Sequence, residues 1–384
     1  MNINVQPQNS VFSKSPILYM VTDTDLTRIT AIADVYLWKG DVNNIPATKS
    51  YRLKKSISNV AGANPSSAVF NIARLVDDTL SQPDPTSYNL GVFAPSTTET
   101  TWMLVRFGWI TNTGTIVENQ VDSDEILCIG GYGEFLEGTN QEMPNILTSV
   151  KNHNISSDNK LIVGIANTAD KVGVALNYKS DLGNIQTFTI AANTDLSGDN
   201  VLHFDMSPSL FAGTYEKEYK FELITNTAMV LDTINIKVDD LCKYEPLSVG
   251  YVNRYGVWDF LPFNGKSILK TKTKTSDYQN SDLGLYLDTE GSPFKLAYDD
   301  SRPQYKKFNG EFRRMRDLTT NFVTDEFYSG LEQLMISDRC YLWEYTSPVN
   351  PMGNSLTKKT GLNDKLIQYS ITFEEAYNVQ NQIL

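Results

Sequence analysis

The segments "EYKFELITNT" (residues 218–227) and "VLDTINIKVDD" (residues 230–240) decide the fold class of this 384-residue chain. In both, large apolar side chains occupy every second position: Tyr219, Phe221, Leu223, Ile234, Ile236 and Val238. Side chains of a β-strand point alternately to opposite faces, so this pattern predicts two strands, each with one face in a hydrophobic core.

Further segments of the same kind surround these two, namely "NKLIVGIA", "KVGVALNYKS", "IQTFTIAAN" and "NVLHFDM". They follow one another at roughly 8 to 12 residues and are separated by turn formers such as "SDLGN", a spacing typical of an all-β sandwich. We therefore predict a compact immunoglobulin-like (Ig-like) domain at residues 144–242.

The chain before this domain is also rich in strand signals, among them "SPILYMVT", "ITAIADVYLWKG", "TWMLVRFGWITNTG" and "EILCIGGYGEFLEG". Each is short, contains many β-branched and aromatic residues, and is bounded by turn formers. One or two helical turns are predicted in "VFNIARLVDDTL" (residues 69–80). Residues 1–143 thus form a predicted N-terminal β-rich domain.

The last region, residues 243–384, combines strands with one helix and is predicted to be an α+β domain. In "TDEFYSGLEQLMISD" the apolar residues recur with helical spacing, and Thr324 is placed to cap the first turn. The predicted helix packs on a sheet that includes the terminal segment "KLIQYSITFEEAYN". The whole chain is then mainly β, with two or three β-sandwich domains.

A projecting arm is predicted at about residues 266–290, where "ILKTKTKTSDYQNSDLGLYLDT" has strand propensity but no apolar face. Lysines and threonines alternate there, so neither face can enter a core. The segment is either an arm that contacts a neighbouring subunit or a mobile loop. The candidate interface residues are Lys270, Lys272, Lys274 and Tyr278.

The stretch "YVNRYGVWDFLPF" (residues 251–263) is unusually aromatic and is the second candidate site. Asn and Gly in its middle predict a turn, and Arg254 and Asp259 are candidates for an ion pair across the hairpin. We interpret it as a hairpin that opens the C-terminal domain; a ligand-binding platform is the alternative. Its candidate residues are Tyr251, Asn253, Arg254, Tyr255, Trp258 and Asp259.

The sequence contains no motif for common catalytic or metal chemistry. Only two histidines are present, His153 and His203, and neither lies in a catalytic or metal-binding pattern. Three distant cysteines, Cys128, Cys242 and Cys340, are predicted to be buried thiols. Paired carboxylates for glycoside hydrolysis, such as Glu134 and Glu137, are a minor alternative. We therefore expect no catalytic residue, no metal and no cofactor.

The net charge of −12 is unevenly distributed. Residues 1–240 carry 16 Lys and Arg against 27 Asp and Glu, whereas residues 241–384 carry 17 against 18. An acidic body does not favour phosphate contacts, so sequence-specific nucleic-acid binding is not expected. No apolar run reaches the length of a membrane-spanning helix, and no secretory leader is visible, so we expect no membrane partner.

Several segments, taken in order, resemble virion proteins of tailed phages that infect Bacteroidota, including the crAss-like group. They are "SPILYMVT", "ADVYLWKGD", "GYGEFLEGTNQ", "YVNRYGVWDFLPFNGKS", "LEQLMISDRCYLW" and "LIQYSITFEEAYN". The resemblance implies a structural subunit of a neck, tail or baseplate ring, and it supplies no functional residue.

We therefore expect a non-enzymatic virion protein, made in the cytoplasm of the bacterial host. Its expected partners are further copies of itself in a ring and neighbouring tail, neck or portal proteins. The alternative is a carbohydrate-binding adhesin or tail-fibre module in which Trp258 and Tyr255 stack on sugars.

Overall fold

The structure is a computed structural model that describes most of the chain. The described residues are 1–25, 27–57, 66–87, 93–96, 98–166, 175–180, 185–189, 201–211, 217–224, 229–239, 243–279, 285–288, 295–298, 303–353, 355–358 and 367–377. These residues form mostly β-sheets, with three short helices. The predicted fold class, mainly β with sandwich domains and a short helix in the C-terminal region, is confirmed.

The N-terminal region is a sandwich of a six-stranded and a three-stranded sheet. Its elements are β1 (Asn2–Val5), β2 (Ser10–Phe12), β3 (Leu18–Asp23), β4 (Arg28–Trp38), β5 (Tyr51–Ser56), β6 (Ser66–Asn71), α1 (Ala73–Asp77), β7 (Phe93–Ser96), β8 (Thr100–Thr111), β9 (Ile116–Asp122) and β10 (Ile126–Ile129). The larger sheet has the order β2-β10-β8-β4-β5 with β9 on β8, and the smaller one the order β1-β3-β6. Tyr19 and Phe70 of the smaller sheet pack with Phe107 and Trp109 of the larger one in a single core.

The middle region is a second sandwich. Its elements are β11 (Asn152–Ile155), β12 (Ile162–Ala166), β13 (Ala175–Ser180), β14 (Ile185–Thr189), β15 (Val201–Asp205), α2 (Pro208–Phe211), β16 (Glu218–Ile224) and β17 (Val230–Val238). Five strands pair in the order β11-β17-β16-β13-β14, and the facing sheet has the order β12-β15-β7. The predicted alternation in β16 and β17 is confirmed, since Phe221 and Ile236 are buried against Phe204 of the opposite sheet.

The C-terminal region is a seven-stranded sheet with a helix packed on it. Its elements are β18 (Leu247–Val252), β19 (Trp258–Phe263), β20 (Ile268–Gln279), β21 (Leu285–Asp288), β22 (Lys295–Tyr298), β23 (Tyr305–Thr319), α3 (Phe327–Ile336), β24 (Cys340–Leu342), β25 (Ser347–Met352) and β26 (Ser370–Glu375). The sheet order is β19-β18-β24-β25-β26-β23-β20, while β21 and β22 pair separately. Phe327, Leu331 and Leu334 of α3 are buried in the core.

The predicted cap of α3 is wrong. Glu326, not Thr324, occupies the position before the first helical residue, and no side chain accepts a capping hydrogen bond there. The backbone carbonyl of Thr324 instead accepts a 3.2 Å hydrogen bond from the Phe327 N–H group. A backbone acceptor therefore satisfies one of the amides that a capping side chain would otherwise bind.

Strand pairing and buried apolar clusters cross the predicted domain boundaries at residues 143 and 242. The boundaries themselves stay predictions. β7, from the N-terminal region, pairs with β15 of the middle sandwich. A further buried cluster joins Phe12 and Trp102 to Leu147 and Val257, and so includes side chains from all three regions. The three regions thus share buried apolar surface in this structure.

Candidate interaction surfaces: the exposed ribbon and the aromatic hairpin

The predicted arm is one strand of a long antiparallel ribbon. β20 pairs with β23 from Ile268, opposite Asp317, to Gln279, opposite Tyr305, with one bulge after Ser276. All twelve residues of β20 are exposed. Residues 268–279 are therefore paired backbone, as the arm hypothesis requires. The predicted range 266–290 does not include β23, the partner strand. Residues 280–304 separate the two strands, and no local sequence pattern indicates that they pair.

The pairing register gives the ribbon two distinct faces. Cross-strand partners share a face. Lys270, Lys272 and Lys274 lie opposite Met315, Arg313 and Glu311, and we call this the lysine face. Thr271, Thr273 and Thr275 lie opposite Arg314, Phe312 and Gly310, and form the threonine face. The predicted alternation of lysine and threonine is thus realised on opposite faces of one ribbon.

The ribbon is basic although the protein is acidic. β20 and β23 carry eight Lys and Arg against three Asp and Glu, a net charge of +5, which leaves −17 on the rest of the chain. Two of its ion pairs lie near the sheet: Lys270 with Asp317, and Arg313 with Glu374 at 3.5 Å. The Lys270 and Thr372 side chains hold the pKa of Asp317 below its usual value. Lys272, Lys274 and Tyr278 lie further along the ribbon, where all three are exposed.

The second candidate, the aromatic hairpin, is β18 and β19 with the turn between them. The Gly256 N–H group donates to the Asn253 carbonyl at 3.0 Å, and the Asn253 side-chain oxygen accepts from the Tyr255 N–H group at 3.0 Å. Gly256 has a φ of +76°, a conformation that other residues rarely adopt. Asn253 and Gly256 therefore act as turn residues.

The aromatic residues of this hairpin are core residues. Tyr251 and Trp258 are 0% and 2% exposed, and Tyr255 is 8% exposed. β19 has both faces covered: Trp258 and Phe260 enter the middle core, whereas Leu261 and Phe263 enter the C-terminal core. The Trp258 indole N–H group also donates to the Pro83 carbonyl at 2.8 Å. Trp258 and Tyr255 therefore present no exposed aromatic surface on which a sugar ring could stack.

Asp259 is buried in the hairpin and accepts hydrogen bonds from the Thr148 hydroxyl at 2.6 Å and the Asn253 amide at 3.4 Å. Burial raises the pKa of Asp259 to about 6, although these hydrogen bonds favour the charged form. The predicted ion pair between Arg254 and Asp259 is wrong. Asp259 points into the core from β19, while Arg254 lies in the turn and reaches another loop.

Arg254 binds two glutamates of the segment 131–141. Its Nη1 atom lies 3.0 Å from Glu134 Oε1 and 3.3 Å from Glu137 Oε1. Burial raises the pKa of Glu137. Hydrogen bonds from the Glu134 N–H group and from neighbouring side chains, together with the Arg254 charge, outweigh this effect, so that the pKa lies below its usual value. A general acid for glycoside hydrolysis needs the opposite shift.

The same segment presents two exposed apolar side chains that the sequence analysis missed. Phe135 and Leu136, in a 3-10 turn between the two glutamates, are 97% and 94% exposed. We call them the Phe135–Leu136 tip. The available signal was the sequence "GEFLEG", in which an apolar pair is flanked by glutamates and glycines.

Of the predicted buried thiols, Cys128 and Cys340 are confirmed, and Cys242 lies outside the described residues. Burial raises the pKa of Cys340 to about 12 and raises that of Cys128 as well. Within the described ranges, no group of three or more His, Cys, Asp and Glu residues could hold a metal ion. No helix among the same residues is both long and apolar enough to span a bilayer.

Comparison with known proteins adds little to this description. No protein-family model matches the chain, and no curated protein matches it. Among solved structures, fibronectin(III)-like modules of Clostridium thermocellum CbhA align over 64% of this chain and 97% of their own, at 10% identity and a TM-score of 0.17. CBD12 from CALX1.2 aligns over 56% and 76%, at 8% identity and 0.19. Extracellular domains 3–5 of Drosophila OTK align over 83% and 91%, at 8% identity and 0.19.

These TM-scores are too low to support an argument about function. The fold class rests on the structure itself, which is mainly β, with two sandwiches and a C-terminal sheet that carries one helix.

Proposed function

We propose that this protein is a non-enzymatic structural subunit of a tailed-phage virion, one copy of a ring in the neck, tail or baseplate. The observation that carries the proposal is the ribbon formed by β20 and β23. It has two exposed faces and a net charge of +5, while the rest of the chain carries −17. The basic ribbon of one subunit is electrostatically complementary to the acidic remainder of the next identical subunit.

The ribbon has the features of a subunit contact rather than of a packed element. It extends from the edge of the seven-stranded sheet, and in the described part of the chain β20 pairs on one side only, with β23. An exposed strand of this length is a template for association unless charge protects it. Here the charges match an acidic partner, and a head-to-tail contact of this kind repeats around an axis to close a ring.

The proposed ring subunit is synthesised in the bacterial host cytoplasm and resides in the virion. Its partners are copies of itself and adjacent neck, tail or portal proteins. The sequence resemblance supports this placement, and the modular β-sandwich architecture is compatible with it. The carbohydrate-binding alternative has lost its main support because Trp258 and Tyr255 are buried.

The first test is quantitative mass spectrometry of density-purified, cell-free particles from the source culture. We expect this chain in a fixed ratio to the major capsid protein, at the copy number of a small ring. Absence from purified particles would overturn the proposed function.

The second test shortens the ribbon without disturbing the sheet. Thr271 and Arg314 are directly paired, so replacing residues 272–313 with Asn-Gly joins them by a two-residue turn. We expect a folded protein that no longer enters particles. Normal incorporation of this variant would exclude the ribbon as the assembly contact.

A further inference from the structure

The turn that carries the Phe135–Leu136 tip is held by hydrogen bonds and ion pairs, although the two side chains of the tip contact almost nothing. Phe135 and Leu136 are 97% and 94% exposed. The Glu134 N–H group donates to the Glu137 carboxylate at 2.6 Å, and Arg254 binds both carboxylates. Two large apolar side chains left in water forgo the stabilisation that burial would give them. A well-bonded turn that presents such side chains is preorganised to bind.

The anchoring of this loop extends to both of its ends. The Tyr132 N–H group donates to the Arg254 carbonyl at 2.7 Å, and the Gly133 N–H group donates to the Ser15 hydroxyl at 2.6 Å. At the other end, Asn140 exchanges two hydrogen bonds with the Leu18 backbone, at 2.8 and 3.0 Å. The exposure of the tip is therefore a consequence of a well-bonded loop.

A pocket of about 270 Å³ at the base of the ribbon has complementary chemistry. We call it the base pocket. Leu269 and Tyr377 supply exposed apolar surface next to the buried Phe373, while Arg314 and Arg316 supply positive charge against one carboxylate, Glu375. The Arg316 guanidinium is held 4.1 Å from the centre of the Tyr345 ring. Because a cavity of about 150 Å³ can hold benzene, the base pocket has room for a phenylalanine ring.

We propose that the Phe135–Leu136 tip of one subunit inserts into the base pocket of a second copy of this chain. The apolar side chains enter the pocket, and Glu134 and Glu137 meet Arg314 and Arg316 at its rim. The tip is exposed in its own subunit, so the pocket of another subunit receives it. The contact joins two different surfaces and is therefore head-to-tail, which leads to a ring or a filament.

Two larger pockets fit the tip less well. One of about 540 Å³ is lined by Glu134 and Glu332, with Arg254 already bound to the tip's own glutamates, so it repels an acidic segment. The other, of about 670 Å³, contains Lys220 and Lys237. These lysines are paired with Glu222 at 2.9 Å and Glu218 at 3.7 Å, and asparagines line much of the rest.

This inference rests on the self-assembly part of the proposed function and is tested with the purified full chain. The tip variant is Phe135→Ser with Leu136→Ser, and the pocket variant is Arg314→Glu. Phe322→Ser is the control, because Phe322 is an exposed aromatic residue (54%) outside both surfaces. Sedimentation across a dilution series measures self-association. We expect about a hundredfold weaker association for the tip and pocket variants and no change for the control.

Mixing the two variants gives the sharper readout. The tip variant keeps an intact pocket and the pocket variant keeps an intact tip, so an equimolar mixture should form 1:1 dimers and nothing larger. A mixture that stays monomeric, or a tip variant that associates like the wild type, overturns the inference. Wild-type protein that never self-associates overturns both this contact and the ring. Absence from virions, with the mixing result intact, overturns only the virion assignment.

Discussion

The Thr148 hydroxyl donates a 2.6 Å hydrogen bond to the carboxylate of Asp259 inside the protein. The two residues are 111 positions apart, and the contact joins the segment that precedes β11 to the aromatic hairpin. Both side chains are almost completely buried, at 2% and 1% exposure. An acidic group at the junction of two regions makes the stability of the protein depend on pH.

Asp259→Asn should remove one component of this dependence. Burial raises the pKa of Asp259 to about 6, above the usual aspartate value of 3.8. The folded state therefore binds the proton more tightly, and the contribution of Asp259 to the free energy of unfolding is complete below pH 4 and lost as the pH rises through 6. Over that range it amounts to about 3 kcal/mol. Urea unfolding of both proteins at several pH values measures it.

As the pH falls from 7 to 4, the free energy of unfolding of the wild type should rise relative to that of Asp259→Asn. Parallel curves would show that the carboxylate is not protonated at this site near pH 6.

His153→Phe should change the pH dependence in the opposite direction. Burial in β11 lowers the pKa of His153 to about 4. The neutral ring is favoured in the folded state, so its stabilising contribution is present above pH 6.5 and lost as the pH falls towards 4. This loss also amounts to about 3 kcal/mol.

The phenylalanine variant should therefore lose less stability than the wild type between pH 6.5 and 4 in the same urea experiment. In the wild type, the effects of His153 and Asp259 partly cancel between pH 4 and 6. An unchanged slope in His153→Phe would mean that the ring is protonated in the folded protein near pH 6.

Gly256→Ala should be much more destabilising than Gly114→Ala, although both glycines have positive φ, +76° and +83°. A Cβ atom at Gly256 would lie 2.5 Å from the Gly130 carbonyl carbon, whereas one at Gly114 would meet nothing within 4 Å. Gly114→Ala carries the conformational penalty alone, about 1–2 kcal/mol. Gly256→Ala must also displace backbone, and we expect about 3–5 kcal/mol. Equal midpoints of thermal unfolding would contradict this packing.

Local patterns predicted the elements of this fold better than their partners. The alternation of Tyr219 and Phe221 reflects burial of one strand face, and Asn253 with Gly256 reflects turn geometry; both are properties of a few adjacent residues. The pairing of β7 with β15 and the bonds from Arg254 to Glu134 join residues more than 100 positions apart. No local spacing encodes such contacts, so the ion pair was assigned to the nearer Asp259.

For the same reason, the sequence predicted only part of the interaction surfaces. Two polar faces on β20 follow from alternating lysine and threonine, and that alternation indicated the arm. The return strand and the Phe135–Leu136 tip did not follow, because exposure of an apolar pair depends on how Arg254 and distant backbone groups hold the loop.

The lysine face of the ribbon should contribute to assembly more than the threonine face. Lys272→Gln with Lys274→Gln removes two positive charges from the lysine face. Thr273→Glu with Thr275→Glu changes the net charge by the same amount on the opposite face, where these two residues pair with Phe312 and Gly310 rather than with Arg314 of the base pocket, and all four residues are exposed. If the lysine face meets the acidic body of the next subunit, the first variant should associate about tenfold more weakly, since each exposed ion pair contributes up to about 1 kcal/mol.

The threonine-face variant should change less, and the difference should shrink at high salt because exposed charges are screened. Sedimentation at low and high salt measures both effects, and equal weakening by the two variants would show that only net charge, not the lysine face, governs the contact.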